Sequence, residues 1–176
     1  KRSVEFQHYF AERLEEVREA PRDDIISALV RARIEGERPL DTAESLSILQ
    51  QLLVAGNETT ASAVGEGLLL LIQNRDQLEQ VVADPELIPN LIEEVLRLAT
   101  PTQNMFRVTT GDCELGGVTL EKGSMLLLRF GAANRDPAHF DDPERFDIRR
   151  ENAVEHIAFG HGIHFCICLL YTSPSP

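Results

Sequence analysis

With 176 residues, 43% of them hydrophobic and 26% charged, the chain has the composition of a globular protein and is neither a disordered polymer nor a repeat array. Its 29 Asp and Glu residues outnumber 17 Lys and Arg, a formal net charge of −12, which argues against general nucleic-acid binding through clustered cations. Apolar runs such as residues 68 to 72 fall far short of the roughly 20 residues that span a bilayer, so no membrane segment is expected. Residues 4 to 19 carry Val4, Phe6, Phe10, Leu14 and Val17 at helical spacing, a charged amphipathic helix interrupted by Pro21. Asp23 and Asp24 open a second helix through Ile25, Ile26, Leu29 and Ile34, closed by Gly36. Pro39 and Asp41 introduce the longest helix, from about residue 42 to 73. Around residues 68 to 72 its apolar side chains occupy most of the circumference, which predicts burial on all sides.

Asp84-Pro85 marks a turn, and Pro89 suits the first turn of a helix from 90 to 98 that ends before Pro101. The pattern then changes. Residues 105 to 110, 114 to 119 and 124 to 130 predict short strands punctuated by Gly111, Gly116-Gly117 and Gly123. From 134 to 152 the chain is rich in Asp, Arg and Pro and is expected to be irregular but compact. A glycine-bearing loop from 159 to 166 follows. There is no βαβ repeat and no dinucleotide-binding glycine fingerprint. The expected fold class is mainly α with a small β portion.

Four constellations carry candidate chemistry. In Ala55-Gly56-Asn57-Glu58-Thr59-Thr60, an acid and two hydroxyls flank a glycine inside a long apolar helix. Glycine there costs about 1 kcal/mol relative to Ala, and Thr59 can bond back to the carbonyl of Ala55 and bend the helix. Such a bend makes room for a small ligand; the alternative is a solvated patch or a packing notch. Glu94 and Arg97, at i and i+3, share a helix face and can pair, as many surface salt bridges do. The stretches Asn134-Arg135-Asp136-Pro137 and Pro143-Glu144-Arg145-Phe146-Asp147 read as surface loops in which Arg145 could be a second cation for Glu94. In Phe159-Gly160-His161-Gly162-Ile163-His164-Phe165-Cys166, two glycines allow the backbone to fold tightly round a flat object, and the cysteine can face a metal as a thiolate. A buried free cysteine, or zinc on the cysteine and histidines, are the alternatives. The chain has three cysteines, with Cys113 and Cys168 beside Cys166. That number suits no disulfide framework, and a single C-x-C pair is a weak zinc signal.

Taken together and in this order, these motifs resemble the cytochrome P-450 family of soluble bacterial type. The resemblance rests on Ala-Gly-x-Glu-Thr-Thr, Glu-x-x-Arg, Pro-Glu-Arg-Phe and Phe-x-x-Gly-x-His-x-Cys, and runs from residue 1 to 167. It implies the C-terminal half of that fold, incomplete at both ends. It implies haem b with Cys166 as the iron's thiolate ligand, Arg107 and His164 on the haem propionates, Phe159 beside the thiolate, and Gly160 among the haem-binding residues. It implies an oxygen groove at Ala55 and Gly56, proton delivery by Glu58 and Thr59, and a substrate pocket near residues 100 to 105. Glu94, Arg97 and Arg145 would form a buried structural ion-pair network. The implied activity is monooxygenation of a small hydrophobic organic substrate by O2. Electrons would come from NAD(P)H through a reductase and a ferredoxin or flavodoxin-type donor, in the cytoplasm. A non-catalytic haem-thiolate sensor or carrier is the alternative, ahead of a helical module with a zinc-binding tail.

The family pattern places glycine two residues after the cysteine and then a helix. Here that position is Cys168, and residues 168 to 176 end in Ser-Pro-Ser-Pro. This tail is what a commonly used transposase adapter would encode in one frame, and it is expected to be non-native. The family's N-terminal helices also precede residue 1, so the fragment alone is expected to be inactive.

Overall fold

The computed structural model describes residues 2–34 and 36–167, so Cys168 and the tail lie outside the described residues. These fall into two compact units, one ending at Asn57 and one starting at Glu58.

In the first unit, α1 spans Arg2–Glu19 and α2 spans Ile25–Arg31. Leu14, Val17, Ser27, Ser45 and Leu49 are its buried side chains. Asp24 caps α2 by accepting from the Ser27 N–H at 2.8 Å. The second helix is shorter than the apolar spacing predicts. Ala32 turns extended (φ −60°, ψ 144°), and Ile34 enters a two-residue strand, β1 (Arg33–Ile34). This pairs antiparallel with β2 (Arg38–Pro39). Gly36, at φ +78°, supplies the left-handed position between them.

Helix α3 covers Thr42–Gln73. It starts on a reciprocal capping box: the Glu44 N–H donates to Asp41 Oδ1 (2.8 Å) and the Asp41 N–H donates back to Glu44 Oε2 (2.9 Å). Arg38 grips the same carboxylate with two bonds of 2.8 Å. These bonds, Arg38 first and the Asp41 N–H second, hold the Glu44 carboxyl down at about 2.

In the second unit the spacing of apolar residues did not reveal α4 (Arg75–Ala83), between the end of α3 and the turn at Asp84-Pro85; α5 spans Ile88–Ala99. Leu91, Val95 and Leu98 of α5 form a core with Phe146 and Ile148, against which Leu70, Leu71, Val81 and Leu87 pack. Gly67 lets α3 and α5 approach: a Cβ there would meet Val95 Cγ1 at 3.1 Å. The expected all-round burial of α3 is not observed. Val64, Leu68, Leu69 and Ile72 are exposed, because α5 covers only the stripe that carries Gly67, Leu70 and Leu71.

The β portion of the second unit, among the described residues, is two antiparallel pairs. Strand β3 (Met105–Val108) pairs with β6 (Met125–Leu128), and β4 (Cys113–Leu115) with β5 (Val118–Leu120). The expected single strand over 114 to 119 is therefore a hairpin. Gly116 (φ +59°) and Gly117 (φ +78°) form its two-residue turn, and two successive positive φ values suit a primed turn. A short helix α6 (Phe130–Ala133) leads into the irregular segment. That segment is compact because helix side chains satisfy its backbone. Gln77 donates to the Phe146 carbonyl (2.8 Å) and accepts from the Ile148 N–H (2.9 Å). Asn90 donates to the carbonyls of Ile148 (2.8 Å) and Arg150 (3.2 Å).

Candidate functional site

The scaffold beneath the site is ionic. Glu94 and Arg97 are fully buried and pair through two bonds, Nε to Oε2 at 2.7 Å and Nη2 to Oε1 at 2.9 Å. Glu94 Oε1 also accepts from the Asp147 N–H (3.0 Å) and from Arg150 Nε (3.2 Å). The second cation is thus Arg150, not Arg145. The Arg145 side chain is 63% exposed and lies 3.5 Å from Asp147. Its carbonyl explains why: it points inward to accept from Arg97 Nη2 (3.2 Å) and Arg150 Nη2 (3.0 Å), and the side chain faces outward. Phe146, Ile148 and Arg150 alternate inward at period two, with Asp147 and Arg149 less buried between them. Arg97 also donates to the carbonyls of Asn134 (2.8 Å) and Pro143 (2.7 Å), and its guanidinium lies over the Phe140 ring at 5.1 Å.

Two further positioning residues carry no sequence signal of their own. Asn134, 1% exposed, donates from its amide to Thr100 Oγ1 (2.8 Å) and accepts from the Ile157 N–H (2.8 Å). It ties the end of α5 to the entry of the cysteine loop. His156 has a side chain only 2% exposed. Its Nδ1 accepts from the Ala158 N–H at 3.1 Å, which places the proton of the neutral ring on Nε2. Nε2 sits 3.1 Å from Glu93 Oε2 yet is aligned with no acceptor, so the neutral ring lies beside the carboxylate without a well-formed hydrogen bond. Burial pushes the His156 pKa down, against the opposing pull of Glu93, with Arg97 adding to the depression.

Stability then depends on pH with a definite sign. The unfolded chain charges its histidine near pH 6.5 while the fold keeps His156 neutral to lower pH. This contribution to stability is complete above about pH 6.5 and is lost as pH falls toward the folded value. Urea midpoints at pH 7.5 and 5.5 are expected to differ more for the native chain than for His156→Gln. Equal differences would contradict the assignment.

The loop itself is closed by its backbone. The Cys166 N–H donates to the Phe159 carbonyl (2.9 Å), and the Phe165 N–H to that of Gly162 (2.9 Å). Gly160 (φ +75°) and Gly162 (φ +72°) both occupy the left-handed region that glycine tolerates. The Phe159 ring lies 5.5 Å from His156 and 6.4 Å from Phe165, centre to centre. Cys166 is a free, half-buried thiol. Among the described residues no three His, Cys, Asp or Glu side chains cluster as a metal cage. A lone sulfur donor fits a metal that brings its other ligands in a macrocycle, and haem is such a group. Arg107, on β3, donates only to the Phe106 carbonyl (2.9 Å), and His164 is exposed. Neither pairs with an acid among the described residues, so both keep donors for an anionic ligand edge.

Glu58 and Thr59 line a cleft of about 340 Å³ together with Ser62, Pro101, Thr102, Gln103 and Asn104. The structure therefore brings the acid and alcohol of α3 to the segment that follows α5. Gly56, one turn earlier, has open space where a Cβ would stand, and Ala55 beside it is exposed. No described helix is long and apolar enough to cross a membrane.

The family model described as "Cytochrome P450" matches residues 2–168. Cytochrome P450 107B1 of Saccharopolyspora erythraea is 43% identical over 166 residues, covering 94% of this chain and 40% of that protein. The 6-deoxyerythronolide B hydroxylase of the same organism is 40% identical over 163 residues, covering 93% and 40%. The solved structure of cytochrome P450 CYP109Q5 from Chondromyces apiculatus superposes with a TM-score of 0.85 at 46% identity, covering 93% of this chain and 42% of that one. The chain thus spans about two fifths of the length of these relatives.

Proposed function

The chain belongs to the cytochrome P450 family, and from that premise we propose that the full-length protein is a haem-thiolate monooxygenase that inserts one atom of O2 into an organic substrate and releases the other as water. The observation that carries this reading is the lone Cys166 thiol on its glycine loop, with no competing ligand cluster among the described residues. When bound, haem would supply the oxygen-activating redox chemistry, with thiolate ligation favouring O–O cleavage. Cys166 would hold the iron, and Arg107 and His164 would hold the propionates through charge-assisted hydrogen bonds. Phe159 would shield the thiolate, Gly160 would let the loop turn beside the haem, and Ala55 and Gly56 would leave room for dioxygen beside α3.

Glu58 and Thr59 would deliver protons into the cleft, the carboxyl feeding the Thr59 hydroxyl. Glu94, Arg97 and Arg150 act structurally, fixing the segment that leads to the loop. Electrons would come from NAD(P)H through a reductase and a ferredoxin or flavodoxin-type donor. The cleft's hydroxyl and amide lining favours a substrate that carries oxygen functions on an apolar frame. The 176-residue chain by itself, with the apolar face of α3 uncovered, is proposed to be inactive.

The test is the carbon monoxide difference spectrum of the reduced full-length protein beside Cys166→Ser. A red-shifted thiolate-type Soret band, lost in the variant, is expected. A histidine-type band, or no haem, would overturn the reading.

A further inference from the structure

Gln103 lines the cleft, but its side-chain amide is anchored on the end of α5. Its nitrogen donates to the carbonyls of Ala99 (2.8 Å) and Thr100 (3.0 Å). These are the last carbonyls of the helix, which ends at Thr100 in a left-handed conformation (φ +38°). Two carbonyl acceptors fix which end of the amide is nitrogen, since the oxygen could not donate to them. The amide oxygen therefore faces Gly131. The Gln103 main-chain carbonyl also accepts from the Gly131 N–H at 3.1 Å, so the two residues are locked at the backbone.

Gly131 is buried in α6 and does not line the cleft. A Cβ on it would stand 2.3 Å from Gln103 Oε1 and 3.2 Å from Cδ. The first distance is too short to persist, and the second is tight enough to need a small shift. The atoms that must give way belong to the free end of an exposed side chain, so a methyl group would move the amide and leave the backbone in place.

We propose that Gly131 is a specificity-determining residue that acts through Gln103. Its missing side chain holds the Gln103 amide on the α5 carbonyls and out of the space beside Glu58, Thr59 and Ser62. A larger residue at 131 releases the amide into the cleft. This rests on the cleft being the ligand site of a haem-loaded protein.

The experiment uses the full-length haem-loaded protein and two probes that bind iron through nitrogen, imidazole and the bulkier 4-phenylimidazole. The ratio of their dissociation constants, read from the Soret shift, reports the space and polarity above the iron. Gly131→Ala is expected to change that ratio about fivefold, the scale of one hydrogen bond gained or lost. Gln103→Glu, which cannot donate to the two carbonyls, is expected to move the ratio in the same direction without any clash. The double variant Gly131→Ala/Gln103→Ala is expected to match Gln103→Ala alone, because no amide remains to be displaced. An unchanged ratio in Gly131→Ala, or a double variant that retains the full Gly131 effect, would overturn the proposal. The carbon monoxide band of the same samples separates the two readings. Its presence with an unchanged ratio sinks this inference alone, and its absence from the parent protein sinks the haem reading and this inference with it.

Discussion

Glu94→Ala is expected to cost about 3–5 kcal/mol, the largest loss of stability from any single change outside the cysteine loop. The carboxylate is fully buried and accepts four hydrogen bonds, three of them from Arg97 and Arg150 and one from the Asp147 N–H. Removing it leaves two buried guanidinium groups without a counter-charge. A hydrophobic replacement of the trio would not rescue the fold, as it sometimes does elsewhere. The two arginines also satisfy the carbonyls of Asn134, Asp141, Pro143 and Arg145, and an apolar core would take these protein donors from all four; the Asp142 carbonyl, a fifth acceptor, would keep the Arg145 N–H.

Arg150→Ala should therefore be damaging, whereas Arg145→Ala should fall within about 0.5 kcal/mol of the native chain, because its side chain is exposed and its ion pair with Asp147 is long. Urea denaturation of the full-length protein, followed by circular dichroism, measures all three. Equal losses for Arg145→Ala and Arg150→Ala would contradict the assignment of the second cation.

That assignment marks where sequence reasoning reached its limit. Helices and candidate motifs were legible because apolar spacing and capping residues act locally: Asp24 and the Asp41–Glu44 box begin helices where their types predict. The Glu94–Arg97 pair was legible because i and i+3 share a helix face. The partner 56 residues away was not, because the irregular segment's backbone decides which arginine turns inward. Asn134 and His156 were missed for a related reason. Each works through bonds to distant or irregular backbone, and no local periodicity announces them. The misjudged burial of α3 has a different origin. An apolar circumference states what a helix could bury, while the neighbours present decide what it does bury. The tight hairpin at Gly116-Gly117 was within reach, since two adjacent glycines between short β-prone runs are a turn signal in their own right.

Thr59→Ala and Glu58→Gln are each expected to lower product formation by about 100-fold or more in the full-length protein, within the range attributed to a positioned proton donor. Both residues line the cleft, and they are the acid and alcohol that the proposed reaction needs to move protons. The loss should appear as uncoupling. NAD(P)H consumption continues, hydrogen peroxide is released, and little substrate is hydroxylated. Thr59→Ser keeps a hydroxyl at the same place and is expected to recover most of the coupling. Thr60, the exposed neighbour that does not line the cleft, serves as a control, and Thr60→Ala should leave coupling unchanged. Binding of 4-phenylimidazole should be nearly unaffected in Thr59→Ser and Glu58→Gln, which separates proton delivery from damage to the cleft. If Glu58→Gln and Thr59→Ala hydroxylate substrate as tightly coupled as the native protein, the acid and alcohol are part of the cleft wall only, and protons reach the reaction by a route that does not pass through α3.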